Sequence, residues 1–187
     1  MKTLNIFKSL LIVLGLAFTS CDSGTETEIQ KTTEIDKDQF LLDLANIEKN
    51  LEVDMPSKGS LQKAVTSFQD FANIFPTDDK AADYLLRASD VALTLGQNEK
   101  SVKILGRIIE EYPKYEKIES VYYNRASHTD FELRDTTLAR VYYNEFMEKY
   151  PTSDFMDDAE ARINQNFMSL EDLIESFMKN AEDELAQ

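Results

Sequence analysis

Three aromatic–proline pairs, spaced almost evenly along the chain, constrain its fold more than any other feature. They are Phe75-Pro76, Tyr112-Pro113 and Tyr150-Pro151, and their prolines are 37 and 38 residues apart. Because proline lacks a backbone N–H and restricts the residue before it, each pair predicts the end of a helix. Repeated helix ends at this spacing indicate a solenoid built from repeated helical units.

The residues before each proline repeat as well. Twelve, eight and five positions before each proline, the chain carries a small residue and then two large ones. In chain order the three sets are Ala64, Phe68 and Phe71; Ser101, Leu105 and Ile108; and Ala139, Tyr143 and Phe146. Spacings of three and four residues place each set on one helix face, so we expect all three sets to be buried.

A second helix precedes each of these, because the segment 84–89 (YLLRAS) recurs 38 residues later as 122–127 (YYNRAS). We therefore predict three helical pairs: 38–53 with 60–75, 80–95 with 98–112, and 116–132 with 136–150. Gly59 and Gly96 are expected in turns between paired helices, where glycine readily adopts positive φ. Arg134 occupies the matching place in the third unit, so that turn must differ or be strained.

This pattern resembles the tetratricopeptide repeat, whose second half reads A-x3-F followed by a proline. Ala64-x3-Phe68 and Ala139-x3-Tyr143 fit it at the expected distance from their prolines. The resemblance covers roughly residues 39–168 and implies an all-α fold, a right-handed α-solenoid of about three helical pairs. The period exceeds the usual ~34 residues, which predicts a few additional residues after each proline.

Residues 1–20 have the pattern of an export signal. Lys2 and Lys8 precede a short apolar run at 10–18, and small residues lead into Cys21, the single cysteine of the chain. The run is about half of the ~20 residues that a membrane-spanning helix needs. A cysteine at the cleavage point resembles the lipobox of bacterial lipoproteins, which implies that Cys21 becomes the lipidated first residue. An ordinary cleaved signal with an incidental cysteine is the alternative.

The rest of the chain divides into further segments. Residues after Cys21 lack apolar periodicity and are rich in Thr, Glu and Asp, as in a solvated tether. We predict a lipoprotein signal peptide at 1–20, a flexible acidic tether at 21–38, a helical repeat domain at 39–168 and a C-terminal helical cap at 169–187.

Two helix starts are predicted after the third repeat. Ser153 is expected to be the N-cap of one helix, and Ser169 with Asp172 resembles a capping box that begins the last one. The last helix carries apolar residues on one side, namely Leu173, Ile174, Phe177 and Met178. Since a solenoid needs an end cap with a polar outer face, residues 154–185 are expected to close the repeats.

The charge balance excludes several classes of partner. The chain has a net charge of −15, and residues 1–20 contribute two lysines and no acid. Such an acidic chain is not expected to bind nucleic acid or anionic lipid head groups, so a lipid on Cys21 would provide the membrane attachment. With one histidine and one cysteine, no metal site and no cofactor are predicted.

No catalytic site is predicted either, so the chain is not expected to be an enzyme. His128 does not share a helix face with the adjacent Ser127 or with Asp130 two positions later, which rules out a triad. Acidic pairs occur at Asp78-Asp79, Glu110-Glu111 and Asp157-Asp158. The first and last of these pairs follow a helix-ending proline, where carboxylates favour the positive end of the next helix.

A binding groove follows from the repeat resemblance. In tetratricopeptide proteins the first helix of each pair lines the groove that holds partners. Carried over by repeat position, the groove residues are Asp83, Leu86, Asp90, Leu93, Thr94, Val121, Asn124, His128, Phe131 and Glu132. This mixture of acidic and apolar residues predicts a basic or peptide-like protein partner. For Leu93 and Phe131, burial between repeats is the alternative.

Together these features predict a lipid-anchored scaffold for protein–protein interaction in the bacterial envelope. The chain resembles the family of the repeat lipoprotein of the outer-membrane β-barrel assembly machine. That resemblance implies a position at the outer membrane and a role in outer-membrane assembly or as an accessory subunit. The open alternatives are a carboxylate-based envelope hydrolase and a module that binds a glycan or small molecule.

Overall fold

The computed structural model describes residues 35–185, and within that range it contains eight α-helices and no β-strand. The helices are α1 (Lys37–Leu51), α2 (Lys58–Ile74), α3 (Ala81–Thr94), α4 (Asn98–Glu111), α5 (Ile118–Phe131), α6 (Thr136–Lys149), α7 (Met156–Asn164) and α8 (Leu170–Leu185). The first six match the three predicted pairs to within two residues at every end. The signal peptide, Cys21 and most of the predicted tether lie outside the described residues.

Helices that follow one another along the chain pack together from α1 through α7. This sequential packing is typical of a solenoid, and the predicted all-α fold class is confirmed. A first apolar core forms among α1 to α4 and includes Val121 from α5; a second forms among α5, α6 and α7. All nine residues predicted from their distance to a proline are at most 1% exposed.

The three aromatic–proline pairs end their helices in the same way. Phe75, Tyr112 and Tyr150 have ψ angles between 55° and 60°, outside the helical region, as expected before proline. Two successive turns follow the first proline, closed by hydrogen bonds from Asp78 N–H to the Phe75 carbonyl and from Ala81 N–H to the Asp78 carbonyl. Equivalent turns follow the other two prolines. These turns account for the residues that lengthen the repeat period.

The turns within the helical pairs agree with the prediction in two of three units. Gly96 has a φ of 70°, and Arg134 at the matching position has a φ of 56°, so the strain predicted for Arg134 is confirmed. The expectation for Gly59 is wrong, because it lies in the first turn of α2. The connection between α1 and α2 spans residues 52–57 in place of the predicted 54–59, so Gly59 comes after the start of the helix.

One of the two predicted helix caps is correct. Ser153 is not the N-cap of α7, which begins three residues later. Its hydroxyl accepts a hydrogen bond from Phe155 N–H at 3.1 Å and donates one to the carboxylate of Glu119 on α5. Ser169 does cap α8, because its Oγ accepts a hydrogen bond from Asp172 N–H at 3.1 Å and donates to the Asp172 carboxylate at 2.8 Å.

Of the two helices expected to close the repeats, α7 does so and α8 does not. Its residues Ile174, Phe177 and Met178 are 50%, 62% and 62% exposed, and among the described residues neither core includes a side chain of α8. The second core is instead covered by α7, where Ala159 is fully buried and Ile163 packs against it. The apolar side of α8 therefore remains at the surface.

Candidate protein-binding surface

Five of the ten predicted groove residues lie on α3, at spacings that place them on one helix face. Asp90 and Thr94 are exposed, whereas Leu86 and Leu93 are half-buried. Leu86 also packs against the first core, so only its outer edge is accessible. The Thr94 hydroxyl donates to the carbonyl oxygen of Asp90 at 3.0 Å within the same helix. The accessible part of this face therefore presents one acidic side chain, that of Asp90, between the apolar side chains of Leu86 and Leu93.

Asp83, the fifth predicted residue on α3, is engaged by its own chain. Its carboxylate accepts hydrogen bonds from the Tyr115 hydroxyl at 2.5 Å and from the Lys117 ammonium at 2.9 Å. Partial burial works against the charged form, but these two donors outweigh it and leave the pKa of Asp83 below its ordinary value. Burial and the bond to Asp83 raise the pKa of Tyr115 to about 12. Asp83 thus links α3 to the turn before α5.

Asp90 lies at a cleft of about 350 Å³ between α1 and α3. Although part of the residue is exposed, the protein around its carboxylate desolvates it and raises its pKa. Nearby, Arg87 forms an ion pair with Glu48 of α1. A carboxylate disfavoured in its charged form is stabilised by an incoming cation, so this cleft suits a basic group.

The predicted groove residues on α5 are less accessible than the sequence suggested. Val121 is fully buried and belongs to the first core, so its assignment to a groove is wrong. It lies in the first turn of α5, which packs back against α4. Asn124, one turn later, is half-buried.

His128 forms part of a polar contact that joins the second and third repeats. Its Nδ1 lies 3.1 Å from the hydroxyl of Ser101 on α4, which in turn lies 2.8 Å from the hydroxyl of Ser89 on α3. Both serines are fully buried. Burial lowers the pKa of His128 below its ordinary value, although the nearby Glu132 carboxylate acts in the opposite direction. His128 therefore faces the repeat interface rather than an open groove.

Phe131 and Glu132, the last predicted residues on α5, are exposed. The Phe131 ring is 53% exposed, and the guanidinium of Arg162 from α7 lies 4.7 Å from its centroid. The backbone carbonyl of Glu132 accepts a hydrogen bond from the Asn98 side chain at 3.1 Å, which leaves its carboxylate at the surface. Phe131 is thus an aromatic residue held in place at the surface. The alternative that it is buried between repeats is wrong.

An ion pair beside Phe131 was missed by the sequence analysis. The side chain of Asp130 is 2% exposed, and Arg162 donates to its two carboxylate oxygens at 2.7 and 2.8 Å. Arg162 also donates to the carbonyl oxygen of Met168 at 2.9 Å. The available signal was Asp130 itself, since an acid at a small-residue position of the repeat needs a buried partner.

This ion pair forms one wall of a cleft of about 620 Å³ among α5, α7 and the start of α8. Phe131, Phe167 and Leu173 supply its apolar lining, and Arg134 lies at its edge. Arg134, Asn166 and Phe167 are the non-glycine residues with positive φ in the part of the chain that the structure describes. Backbone strain of this kind collects at functional sites, and here it collects around one cleft.

The predicted groove residues do not converge on a single cleft. Asp90 faces the cleft between α1 and α3, and Phe131 faces the cleft at the end of the repeats. Asp83 lies at a third cleft of about 560 Å³, between the turns that follow Pro76 and Pro113. The surface is therefore a series of separate depressions along the solenoid.

Comparison with known protein families identifies this architecture. Residues 53–171 match the family model described as "YfiO: Outer membrane lipoprotein". The chain belongs to this family. The matched range covers more than half of the sequence, from the end of α1 to the start of α8. Searches of curated proteins and of solved structures returned no significant match.

Membership in this family confirms the predicted relationship to the repeat lipoprotein of the outer-membrane assembly machine. It also confirms the predicted location, a lipid-anchored protein of the outer membrane. The lipidated residue itself is not tested, because Cys21 precedes both the matched range and the described residues.

Within residues 35–185, no group of three or more His, Cys, Asp or Glu side chains is arranged to hold a metal ion. None of the helices there is both long and apolar enough to cross a membrane. In the first acidic pair, Asp78 accepts a hydrogen bond from Lys80 N–H at 2.9 Å and forms an ion pair with Lys37. The bond with Lys37 is the main cause of the lowered pKa of Asp78. Its local contacts are those of a residue at a helix start.

Proposed function

We propose that this outer membrane lipoprotein is a scaffold without a catalytic step of its own. It holds a protein partner at the membrane through the exposed faces of α3 and α5, in outer-membrane assembly or as an accessory subunit. Asp90, Leu93, Thr94, Phe131 and Glu132 form the partner surface. They are the predicted groove residues left after removal of the bonded Asp83 and His128, the core-packed Leu86 and Val121, and the half-buried polar Asn124.

The exposed Phe131 is the observation that carries this proposal. Aromatic residues in accessible clefts are frequent anchors of protein interfaces. Arg162 holds the Phe131 ring from one side and is itself held by Asp130, so the ring is ordered before a partner arrives. Pre-ordering reduces the entropic cost of binding, which favours an interaction role over an accidental exposed side chain.

The chemistry of the partner surface favours a basic or peptide-like partner. Asp90 and Glu132 are acidic, and the desolvated Asp90 carboxylate gains from a nearby cation. Half-buried Leu93 and exposed Phe131 supply apolar contact on the same helices. A segment with Lys or Arg beside apolar residues would satisfy both requirements.

A matched pair of substitutions tests the partner surface. Val141 on α6 is 56% exposed, close to the 53% of Phe131, and lies outside the proposed surface. Full-length tagged lipoprotein would be recovered from detergent-solubilised envelopes as wild type, Phe131→Ser and Val141→Ser. We expect Phe131→Ser to lose at least about tenfold of a co-purifying protein that Val141→Ser retains. Equal recovery by both variants would refute the proposal, as would the absence of any specific partner.

The lipid anchor is tested separately at Cys21. A single acyl chain binds membranes only marginally, at ~0.8 kcal/mol per buried methylene, so the several chains of a bacterial lipoprotein are expected to hold the protein firmly. We expect Cys21→Ser to move the protein from the membrane fraction to the soluble fraction. Continued sedimentation of Cys21→Ser with membranes would show that the attachment has another origin.

A further inference from the structure

The last helix, α8, presents an apolar stripe that is exposed in the described chain. Ile174, Phe177 and Met178 are at least 50% exposed, and half-buried Leu173 lies beside them. Spacings of three and four residues align these side chains on one side of the helix. Single exposed apolar residues are ordinary at protein surfaces, but a continuous stripe marks an interaction site.

The helix that carries this stripe is well formed at its start. Ser169 and Asp172 cap it through two hydrogen bonds, and Glu171 and Asp172 lie in its first turn, where acids complement the helix dipole. The family match ends at residue 171, so nearly all of α8 lies beyond the shared repeat architecture. Its apolar stripe is therefore a feature of this chain rather than of the matched repeats.

The remainder of α8 is strongly acidic. Between residues 170 and 185 the sequence has six carboxylates and a single base, Lys179. Glu171 and Glu175 are exposed and border the stripe. An apolar stripe with acidic borders is complementary to an apolar groove whose rim carries Lys and Arg. A second copy of the chain is an unfavourable partner, because it carries the same excess of negative charge. Anionic lipid head groups would also repel the acidic residues of α8.

We propose that α8 is a docking helix that lays its apolar stripe into an apolar groove, rimmed by Lys and Arg, on a protein partner. This is the helix-in-groove mode of recognition, in which anchors recur every three or four residues. Ile174, Phe177 and Met178 are the anchors, and the acidic borders select the groove and orient the helix. This interface adjoins the cleft of Phe131, which Glu171 and Leu173 also line. Its three anchors lie outside that cleft, so either interface can fail without the other.

In-cell photocrosslinking of the full-length lipoprotein tests the docking helix. The photoreactive residue p-benzoylphenylalanine would replace Phe177 in one protein and Val141 in a control protein. The two side chains are similarly exposed, at 62% and 56%, but Val141 lies on α6, outside both proposed surfaces. We expect position 177 to crosslink to a different protein at least about tenfold more efficiently than position 141. Mass spectrometry should place the crosslink in an apolar segment flanked by Lys or Arg.

Reversal of the charges that border the stripe provides a second test of the docking helix. Glu171→Lys with Glu175→Lys, made in the position-177 protein, should reduce the crosslink at least about tenfold. Glu110→Lys with Glu148→Lys makes the same charge change at exposed sites on α4 and α6 and should leave it unchanged. Both double variants should keep the wild-type thermal midpoint, because none of the four residues belongs to either core.

Several results would overturn the docking helix. A crosslink to a second copy of the chain would show self-association, and a crosslink to lipid alone would show adsorption to the membrane. A partner segment without basic residues, or a yield insensitive to the reversal of Glu171 and Glu175, would remove the charge complementarity. Equal yields at positions 177 and 141 would show that the stripe is not a specific contact.

Discussion

The second and third repeats share a backbone plan but use one buried position in opposite ways. Ala92 in α3 and Asp130 in α5 lie 38 residues apart at equivalent places, and both are buried, at 0% and 4% exposure. Ala92 fits by size alone, whereas Asp130 requires the guanidinium of Arg162 from α7. The third repeat thereby converts a packing position into a tie to the helix that ends the repeats.

A second difference follows the same pattern. Gly96 turns the chain between α3 and α4 with a φ of 70°, at no steric cost, while Arg134 adopts a φ of 56° in the matching turn. The third repeat thus accepts a buried charge and a strained turn, and both lie beside the cleft that contains Phe131. This concentration of costs in one repeat supports the proposal that a partner binds at this cleft.

The largest expected effect comes from placing an aspartate, like the buried Asp130 of the third repeat, at the equivalent position of the second repeat. Ala92→Asp would bury a carboxylate at a fully buried position, and the residue that matches Arg162 one repeat earlier is the uncharged Asn124. Unpaired burial combined with overpacking should cost at least about 4 kcal/mol of unfolding free energy. Urea denaturation followed by circular dichroism would measure this loss. A loss below about 1 kcal/mol would show that the two positions are not equivalent.

Removing the cation from the third repeat should have a slightly smaller effect. Arg162→Ala leaves the Asp130 carboxylate buried and unpaired, which should cost about 3–5 kcal/mol. The double variant Asp130→Ala with Arg162→Met imitates the second repeat and should recover most of that loss. If the double variant were as unstable as Arg162→Ala, the damage would come from lost packing rather than from an unpaired charge.

The helices and their core were readable from the sequence because they depend on local rules. Proline and the residue before it fix where each helix ends, and spacings of three and four residues determine which side is buried. Phe68, Leu105 and Tyr143 therefore fell into the core as predicted. The same local rules misplaced Ser153 and the apolar side of α8, since both depend on what lies across space.

The surface was only partly readable, because repeat position does not fix a side chain's partners. Val121 and His128 were carried over as groove residues, yet one packs into the first core and the other bonds to Ser101 on α4. Asp130 and Arg162 are 32 residues apart and lie in different helices, so no local spacing connects them. The sequence does place Asp130 where the preceding repeat has Ala92, and this departure from the pattern is its one pointer to the ion pair.

Substitutions at Gly96 and Arg134, in the matching turns of the second and third repeats, should change the free energy of unfolding by about 1 kcal/mol. Arg134→Gly should stabilise the protein by about 0.5–1 kcal/mol, because relief from an unfavourable positive φ outweighs the added freedom of the unfolded chain. Gly96→Ala should destabilise it by about 1 kcal/mol through backbone strain alone, since no atom lies within 4 Å of an added Cβ. Gly106→Ala is the control, because it lies in α4 with open space around it and should stabilise the helix. Parallel behaviour of Gly96→Ala and Gly106→Ala would contradict this account.

The smallest expected effect is on the pH dependence of stability. It involves Asp90 and His128, which occupy equivalent positions in the second and third repeats and whose pKa values burial shifts in opposite directions. Burial lowers the pKa of His128, so below its ordinary value of 6.5 the unfolded chain binds a proton more readily than the folded one. His128 therefore costs stability as the pH falls from 6.5 towards its folded pKa. Burial raises the pKa of Asp90 above its ordinary value of 3.8, so the folded chain binds a proton at Asp90 more readily than the unfolded chain does. Asp90 therefore adds stability as the pH falls from its folded pKa towards 3.8.

Unfolding free energies measured in urea from pH 8 to pH 4 would separate the two groups. His128→Gln can retain a hydrogen bond to Ser101 but cannot be protonated, so its stability should decline less than that of wild type below pH 6.5. Asp90→Asn should decline more steeply than wild type at the acidic end, because it lacks the proton that the folded state prefers to bind. Profiles that remain parallel to wild type in both variants would mean that neither position is desolvated in solution. The contrast between the second and third repeats would then rest on Asp130 and Arg134 alone.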